Sequence, residues 1–160
     1  MFTVTVLAVG KLKEAFYRSA VEEYAKRLKG YVDLRLVELP EHRLPEDPSP
    51  AKIREGLAKE AALVREKLPK GAWLCVLTPE GKKLSSEGFA QLLAGVKAQG
   101  RTGACFLLGS SYGLDPGLKA QADLRLSFSD MTFPHHLARV MLLEQLNRGE
   151  SIQAGTRYHK

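Results

Sequence analysis

Cysteine is scarce in this sequence, and the two that it contains are far apart. Cys75 lies in the apolar run AWLCVL and Cys105 in GACFLL, and neither belongs to a C-x-x-C pair. This pattern excludes a disulfide framework and predicts two buried free thiols. The sequence also lacks H-E-x-x-H, clustered metal ligands and the order of a Ser-His-Asp triad, so we expect no bound metal.

Long apolar runs are missing as well. No stretch approaches the roughly 20 apolar residues that a membrane-spanning helix needs. The opening Met-Phe-Thr-Val has neither the basic region nor the cleavage site of a signal peptide. We therefore expect a cytoplasmic protein with no membrane partner.

The composition is that of a globular protein of ordinary size. The 160 residues are 44% hydrophobic and 26% charged, and neither a linker nor a repeat divides them, so we expect a single domain over residues 1–160. The net charge of +6 favours an RNA or DNA partner, although a solvated helix face would explain the same charge. The basic excess is concentrated early in the chain, at Lys11, Lys13, Arg18, Lys26, Arg27 and Lys29.

Apolar runs alternate with amphipathic ones along the whole chain. This alternation predicts an α/β fold with a mainly parallel sheet and helices on both faces. The segment TPEGKKLSS is predicted to be a loop, and Ser49, Ser85 or Ser86, and Thr132 are predicted N-caps. The predicted strands are 2–9, 32–39, 72–77, 103–108 and 124–128, and the predicted helices are 14–28, 51–68, 85–96, 118–122 and 134–148.

Three predicted strand ends carry residues suited to a ligand, because open α/β sheets bind ligands beyond the carboxyl ends of their strands. They are 77–79, 108–113 and 128–133. The second is rich in glycine but lacks G-x-G-x-x-G and the P-loop Gly-Lys-Ser/Thr, which disfavours a dinucleotide or a triphosphate as its ligand. The same segment can also be an ordinary turn. The third suits a flat aromatic ligand, or an ordinary buried corner.

The last helix and the tail are dense in proton-handling groups. Glu144 falls on the apolar face of the helix, where it can form an ion pair with Arg148 or serve as a buried carboxylate that holds a catalytic base or a partner's tail. His135 and Arg139 are i,i+4 neighbours that can jointly face an anion. The tail adds Tyr158, His159 and Lys160.

Several motifs together carry a resemblance to a known family. These are VTVLAVGK at the start, LSSEGFA, LLGSSYGLDP, LSFSDMTFPHHLARVMLLEQL and the closing Tyr158-His159-Lys160. The whole chain resembles the RlmH-type ribosomal large-subunit methyltransferases of the SPOUT class. The resemblance implies a trefoil-knotted C-terminal half and a homodimer. It also implies methylation at N3 of a pseudouridine in helix 69 of 23S rRNA on the assembled 70S ribosome, with S-adenosylmethionine as donor and S-adenosylhomocysteine as product.

The resemblance also implies roles for individual residues. His159, Tyr158 and His135 are the candidates for handling the N3 proton, Arg139 and Lys160 for contacting phosphate or another anion, and Glu144 for orienting the tail at the dimer interface. The residues expected to bind the cofactor are Leu77, Gly109, Phe128, Ser129, Asp130, Met131, Thr132 and Phe133.

Two departures from the family pattern leave other functions open. Ser110 stands where relatives usually carry a second glycine, and residues 147–150 lack the bulky aromatics of the family's Tyr-Arg-Ala-Trp. A non-catalytic RNA-binding or ribosome-binding module is therefore one alternative. A knotted tRNA methyltransferase is the other, although the chain has no appended RNA-binding domain, which favours a substrate that supplies most of the recognition surface.

Overall fold

The computed structural model describes residues 1–160 and contains five strands that alternate with five helices. This order confirms the predicted α/β class. The elements are β1 (Thr3–Val9), α1 (Ala15–Leu28), β2 (Asp33–Leu39), α2 (Pro50–Lys67), β3 (Trp73–Lys83), α3 (Ser86–Ala98), β4 (Gly103–Leu108), α4 (Pro116–Gln121), β5 (Leu124–Ser127) and α5 (His135–Gln153).

All five strands join one parallel sheet in the order β2-β1-β4-β3-β5. The central strand β4 is buried along its whole length, as a continuous apolar run in a parallel sheet requires. Because the strands run in one direction, their carboxyl ends meet at one edge of the sheet. The trefoil knot implied by the resemblance concerns the threading of the chain and stays a prediction.

Helices cover both faces of the sheet, as predicted. On one face α1, α3 and α5 bury a core in which Phe106 of β4 meets Trp73 and Phe89 edge to face. On the other face α2 and α4 contribute Val64 and Leu118 to a smaller core. No helix combines the length and the hydropathy of a membrane span.

Both cysteines are buried free thiols, which confirms that prediction. Cys75 of β3 and Cys105 of β4 belong to the cores on opposite faces of the sheet. Burial raises the pKa of the Cys105 thiol to about 12, and it raises the pKa of Cys75 as well. Neither thiol is therefore ionised near neutral pH.

The prediction of a loop directly after residue 77 was wrong. Strand β3 continues to Lys83, and after an irregularity Lys82 and Lys83 pair with the end of β5. Gly81 makes this possible, because a β-carbon there would lie 2.7 Å from backbone atoms of Arg125 and Leu126. The sequence did not predict this extension of β3 because Pro79 and Gly81 are residue types that ordinarily end a strand.

The predicted start of the last helix is confirmed to within one residue, but its predicted cap and its predicted end were wrong. Helix α5 starts at His135 with Pro134 in the N-cap position, so Thr132 is not its cap, and it continues to Gln153. Two contacts with α3 allow helix α5 to continue beyond Gly149. A β-carbon on Gly149 would lie 2.8 Å from Leu93, and the buried Glu150 accepts from Lys97 at 2.5 Å. Packing thus overrides the glycine as a stop signal.

The other predicted caps are confirmed. Ser49 accepts from the backbone N–H of Lys52, and Ser85 rather than Ser86 accepts from that of Gly88. The remaining element boundaries lie close to those predicted. These caps fix where α2 and α3 begin.

Candidate functional site

The carboxyl ends of β4 and β5, together with the middle of β3 at 77–80, open into a cavity of about 710 Å³. The three strand ends singled out in the sequence thus converge on one site, as an open parallel sheet predicts. Asp130 does not line the cavity, whereas the other seven residues expected to bind a cofactor do. These are Leu77, Gly109, Phe128, Ser129, Met131, Thr132 and Phe133.

The loop after β4 is a tight turn that depends on glycine. A β-carbon on Gly109 would collide with the carbonyl oxygen of Gly113, which itself has a positive φ of 90°. The N–H of Gly113 donates to the carbonyl of Ser110 at 2.9 Å and closes the turn. Backbone groups therefore reach the cavity without a side chain in the way.

Ser110, the departure from the family's second glycine, is bonded into the fold. Its backbone does not have a positive φ, and its hydroxyl donates to Glu60 at 3.3 Å. Glu60 is only 6% exposed, also accepts from the N–H of His42 at 2.8 Å, and has its pKa raised by burial. Sequence reasoning missed Glu60, although its position between Leu57 and Val64 on the buried face of α2 was a signal.

The loop after β5 is held by short-range hydrogen bonds. The Ser127 hydroxyl donates to the carbonyl of Ser129, and the Ser129 hydroxyl accepts from the N–H of Met131 at 3.0 Å. Asp130 points away and accepts from Lys83 of the β3 extension at 2.5 Å. The extension of β3 therefore anchors this loop from outside.

Thr78 has an unusual hydroxyl. The residue is buried and lines the cavity, and its Oγ1 makes no hydrogen bond of good geometry, although it lies near enough to the Glu80 carboxylate to help lower the pKa of that group. A buried unpaired hydroxyl costs about 1–3 kcal/mol unless a ligand or a water satisfies it. At the mouth of the cavity, Lys119 donates to Glu80 at 2.7 Å and is the largest cause of a Glu80 pKa of about 2.

His135 lines the same cavity at the start of α5. Its ring lies 4.1 Å from that of His136, whose Nδ1 is 3.5 Å from Glu14. Burial, and then the neighbouring His136, lower the pKa of His135. The neutral imidazole is therefore the favoured form of His135.

Arg139 has partners other than the predicted anion. It is only 5% exposed, and its guanidinium donates to Glu38 at 2.5 Å and to the carbonyl of Gly10 at 3.0 Å. It does not line the cavity that His135 faces, so the two residues do not form the joint anion site that their spacing predicted. Spacing along a helix sets a shared face but not which neighbours that face meets.

The tail folds back onto α5 through Glu144. The Tyr158 hydroxyl donates to Glu144 at 2.6 Å, and Arg148 donates to the same carboxylate at 2.9 Å. The predicted ion pair is therefore present, and the same carboxylate also holds the tail of its own chain. A contact of Glu144 with a partner's tail stays a prediction. Burial alone would raise the Glu144 pKa, but the hydrogen bonds from Arg148 and Tyr158 outweigh it and lower that pKa.

His159 is held at both ring nitrogens. Its Nδ1 lies 3.0 Å from Arg148 and its Nε2 lies 2.6 Å from Glu87 in the first turn of α3. Lys160 is exposed. Sequence reasoning missed Glu87, although it stands in the LSSEGFA motif that carries part of the resemblance.

The tail and the first cavity are separate within one chain. None of Tyr158, His159 and Lys160 lines the 710 Å³ cavity. A second cavity of about 420 Å³ lies between them, lined by Glu144 on one side and sharing Phe128 with the first cavity. The candidate proton-handling groups are thus divided between His135 at the cavity and the tail on the other side of Phe128.

The anchoring of the tail is expected to depend on the charge of Glu144. Its pKa is lowered in the folded chain, so the stabilisation is complete above the ordinary value of 4.5 and is lost as the pH falls through the lower folded value. NMR signals of Tyr158 should then shift towards those of an undocked tail. Glu144→Gln should show part of that shift at neutral pH, whereas Glu22→Gln, which changes an exposed carboxylate on α1, should not. Unchanged Tyr158 signals in acid would contradict the anchor.

Comparisons with known proteins show which family this chain is similar to. A family model described as "Predicted SPOUT methyltransferase" matches residues 2–159. The chain is 41% identical over 160 residues to the "Ribosomal RNA large subunit methyltransferase H" of Moorella thermoacetica, with 100% of both chains covered. It is 40% identical over 157 residues to the protein of the same name from Streptococcus equi subsp. zooepidemicus, with 98% of this chain and 99% of the relative covered.

A solved structure supports the fold alone. It is described as "The structure of a probable methylase family protein from Haemophilus influenzae Rd KW20" and matches with a TM-score of 0.55 at 9% identity. The match covers 99% of this chain and 70% of that one. With the family match over nearly all residues and the full-length relatives, the chain belongs to the SPOUT methyltransferase family.

Proposed function

We propose that this chain transfers a methyl group from S-adenosylmethionine to N3 of a pseudouridine in helix 69 of 23S rRNA, in the cytoplasm and on the assembled 70S ribosome. The observation that carries the proposal is the cavity at three strand ends in a chain whose full-length relatives are named large-subunit rRNA methyltransferases. The net charge of +6 suits a polyanionic partner.

The cavity suits the proposed donor in shape and chemistry. Phe128 and Phe133 supply apolar walls, the Gly109 turn leaves backbone groups accessible, and the Thr78 hydroxyl lacks a partner that a ligand can provide. SPOUT methyltransferases generally use S-adenosylmethionine. When bound, it supplies an electrophilic methyl group on a positively charged sulfur.

The chain's own residues must then align the base and remove one proton. An imide N–H is weakly acidic, so a neutral imidazole within reach can accept its proton. His159 is the candidate in the tail and His135 the candidate at the cavity, while Tyr158 and Glu144 hold the tail in place. Lys160 is exposed and free to contact phosphate.

We also propose that the active form is a homodimer in which the tail of one copy completes the cavity of the other. The support is the separation described above, because the tail is anchored on α3 and α5 and does not line its own cavity. A symmetric dimer would supply each cavity with a tail from its neighbour.

Thr78→Val tests whether the unpaired hydroxyl contacts the cofactor. The isosteric valine removes a buried unsatisfied group, so the free protein should keep or gain stability, whereas S-adenosylhomocysteine should bind about five- to tenfold more weakly for the loss of one hydrogen bond. Calorimetric titration measures the affinity. Thr78→Ser, which keeps the hydroxyl, is the matched control and should bind nearly as the parent does. Equal binding by the valine variant would show that Oγ1 is not a contact.

Labelled S-adenosylmethionine tests the reaction itself. We expect label in pseudouridine with unmodified 70S ribosomes, and little or none with separated subunits, naked 23S rRNA or tRNA. His159→Ala, or removal of residues 158–160, should lower the rate by roughly a hundredfold or more while S-adenosylhomocysteine still binds.

The other outcomes of that assay each identify a different function. Label in tRNA would identify a tRNA methyltransferase. No label, together with no cofactor binding, would identify a non-catalytic binding module. Full activity without residues 158–160 would remove the tail from the mechanism.

Co-expression of two inactive variants tests the shared site. His159→Ala loses the tail histidine, and Gly109→Ala blocks the turn after β4, since its β-carbon would collide with Gly113. Mixed dimers contain one complete site if the tail acts on the neighbour. We expect activity to return to roughly a quarter of the parent value, because about half of the dimers are mixed and each has one working site. An inactive mixture would place the tail and cavity of one chain together.

A further inference from the structure

The His159 ring is fixed by two partners of opposite kinds. Nε2 faces the carboxylate of Glu87 at 2.6 Å, and Nδ1 faces the guanidinium of Arg148 at 3.0 Å. The ring itself is 23% exposed and Glu87 is 62% exposed. The two contacts come from α3 and α5, so the ring spans the groove between these helices.

The chemistry of the partners determines which nitrogen carries the proton. The hydrogen bond from His159 is the largest cause that lowers the Glu87 pKa, so this carboxyl is ionised and only accepts. Nε2 must therefore donate. A guanidinium only donates, so Nδ1 must accept from Arg148 with its lone pair. The geometry thus selects the tautomer that carries its proton on Nε2.

We propose that Glu87 is a positioning residue for methyl transfer, which holds the His159 proton on Nε2 and leaves Nδ1 as the atom that accepts the N3 proton. This inference rests on the proposed function. Glu87 does not touch the base or the cofactor in this scheme. It acts through His159, in the way that a carboxylate orients an imidazole base in hydrolases.

The bonds of Arg148 allow it to release Nδ1 of His159 when the pseudouridine arrives. Its Nη2 and Nε remain bonded to Glu144 at 2.9 and 3.3 Å, so only the Nη1 contact with His159 has to open. The N3–H bond then breaks and an Nδ1–H bond forms. The electron pair left on N3 bonds to the transferred methyl carbon, and the pair of the broken carbon–sulfur bond stays on sulfur.

The movement of positive charge during methyl transfer explains why a carboxylate at Glu87 would matter for the rate. The positive charge that disappears from sulfur reappears on the His159 ring, so the protein must stabilise a new imidazolium. Arg148 disfavours that charge, whereas the Glu87 carboxylate lies directly against the Nε2 proton. The charged or titratable groups around the tail are Arg27 and Tyr24 of α1, Glu87 of α3, Glu144 and Arg148 of α5, and Arg157, Tyr158 and Lys160 of the tail itself.

A purely structural role explains the Glu87 contact less well. Exposed ion pairs contribute little to stability, and the first turn of α3 already has Ser85 as its cap. The negative charge of Glu87 also interacts favourably with the positive end of the α3 helix dipole. Glutamine in its place would keep an oxygen that accepts the hydrogen bond from Nε2 and would lose only the charge. Glu87→Gln therefore separates the two roles.

The test combines single-turnover kinetics on 70S ribosomes with NMR of protein labelled with ¹⁵N-histidine. Glu87→Gln should lower the rate of the methyl-transfer step by about tenfold, because the exposed carboxylate is partly screened by water, and should leave the KM for ribosomes and the affinity for S-adenosylhomocysteine unchanged. Glu87→Asp should recover part of the rate. Glu55→Gln, which removes the same charge from an exposed site on α2, should behave as the parent does.

The NMR measurement does not depend on activity. The parent should show His159, assigned with His159→Ala, with a hydrogen-bonded Nε2 proton that exchanges slowly with water. Glu87→Ala should lose that slow exchange. A parent ring protonated on Nδ1, or an unchanged rate in Glu87→Gln, would overturn the inference. A parent that binds its tail as described but transfers no methyl group would instead contradict the proposed function.

Discussion

The pairing of β5 with β3 is the constraint on which the rest of this site depends. It places the loop after β5 beside the middle of β3 and the loop after β4, so that three segments share one cavity. Gly81 permits this pairing because no side chain separates its backbone from that of Arg125 and Leu126. The extension of β3 that follows then fixes Asp130 through Lys83.

Three carboxylates organise the polar parts of the molecule. Glu60 holds the turn at Ser110, Glu38 holds Arg139 against β1, and Glu144 holds the tail. Their surroundings differ in one respect. Neutral donors surround Glu60 and burial raises its pKa, whereas Glu144 meets a guanidinium and its pKa is lowered. Glu60 therefore suits a static loop, and Glu144 suits a segment whose position depends on an intact ion pair.

The cavity and the tail are separate in one chain, and they carry different kinds of groups. The cavity is built of backbone turns and apolar walls, which suit binding, while the tail carries the titratable rings of Tyr158 and His159. In the proposed mechanism, a tail that is bonded to Glu87, Glu144 and Arg148 before substrate arrives would lose less entropy on forming the reactive arrangement.

The sequence by itself determined the fold class, the cap at Ser49, the buried thiols and the three segments that line the cavity, because each depends on local chemistry or on apolar periodicity. The motifs that end in Tyr158-His159-Lys160 also determined the family. Only the tertiary structure decided that β3 runs past Pro79, that α5 continues through Gly149, and that Arg139 serves Glu38. The unpaired hydroxyl of Thr78 and the partners of Glu60 and Glu87 were likewise decided by which helices and loops meet across long stretches of chain, which no local pattern encodes.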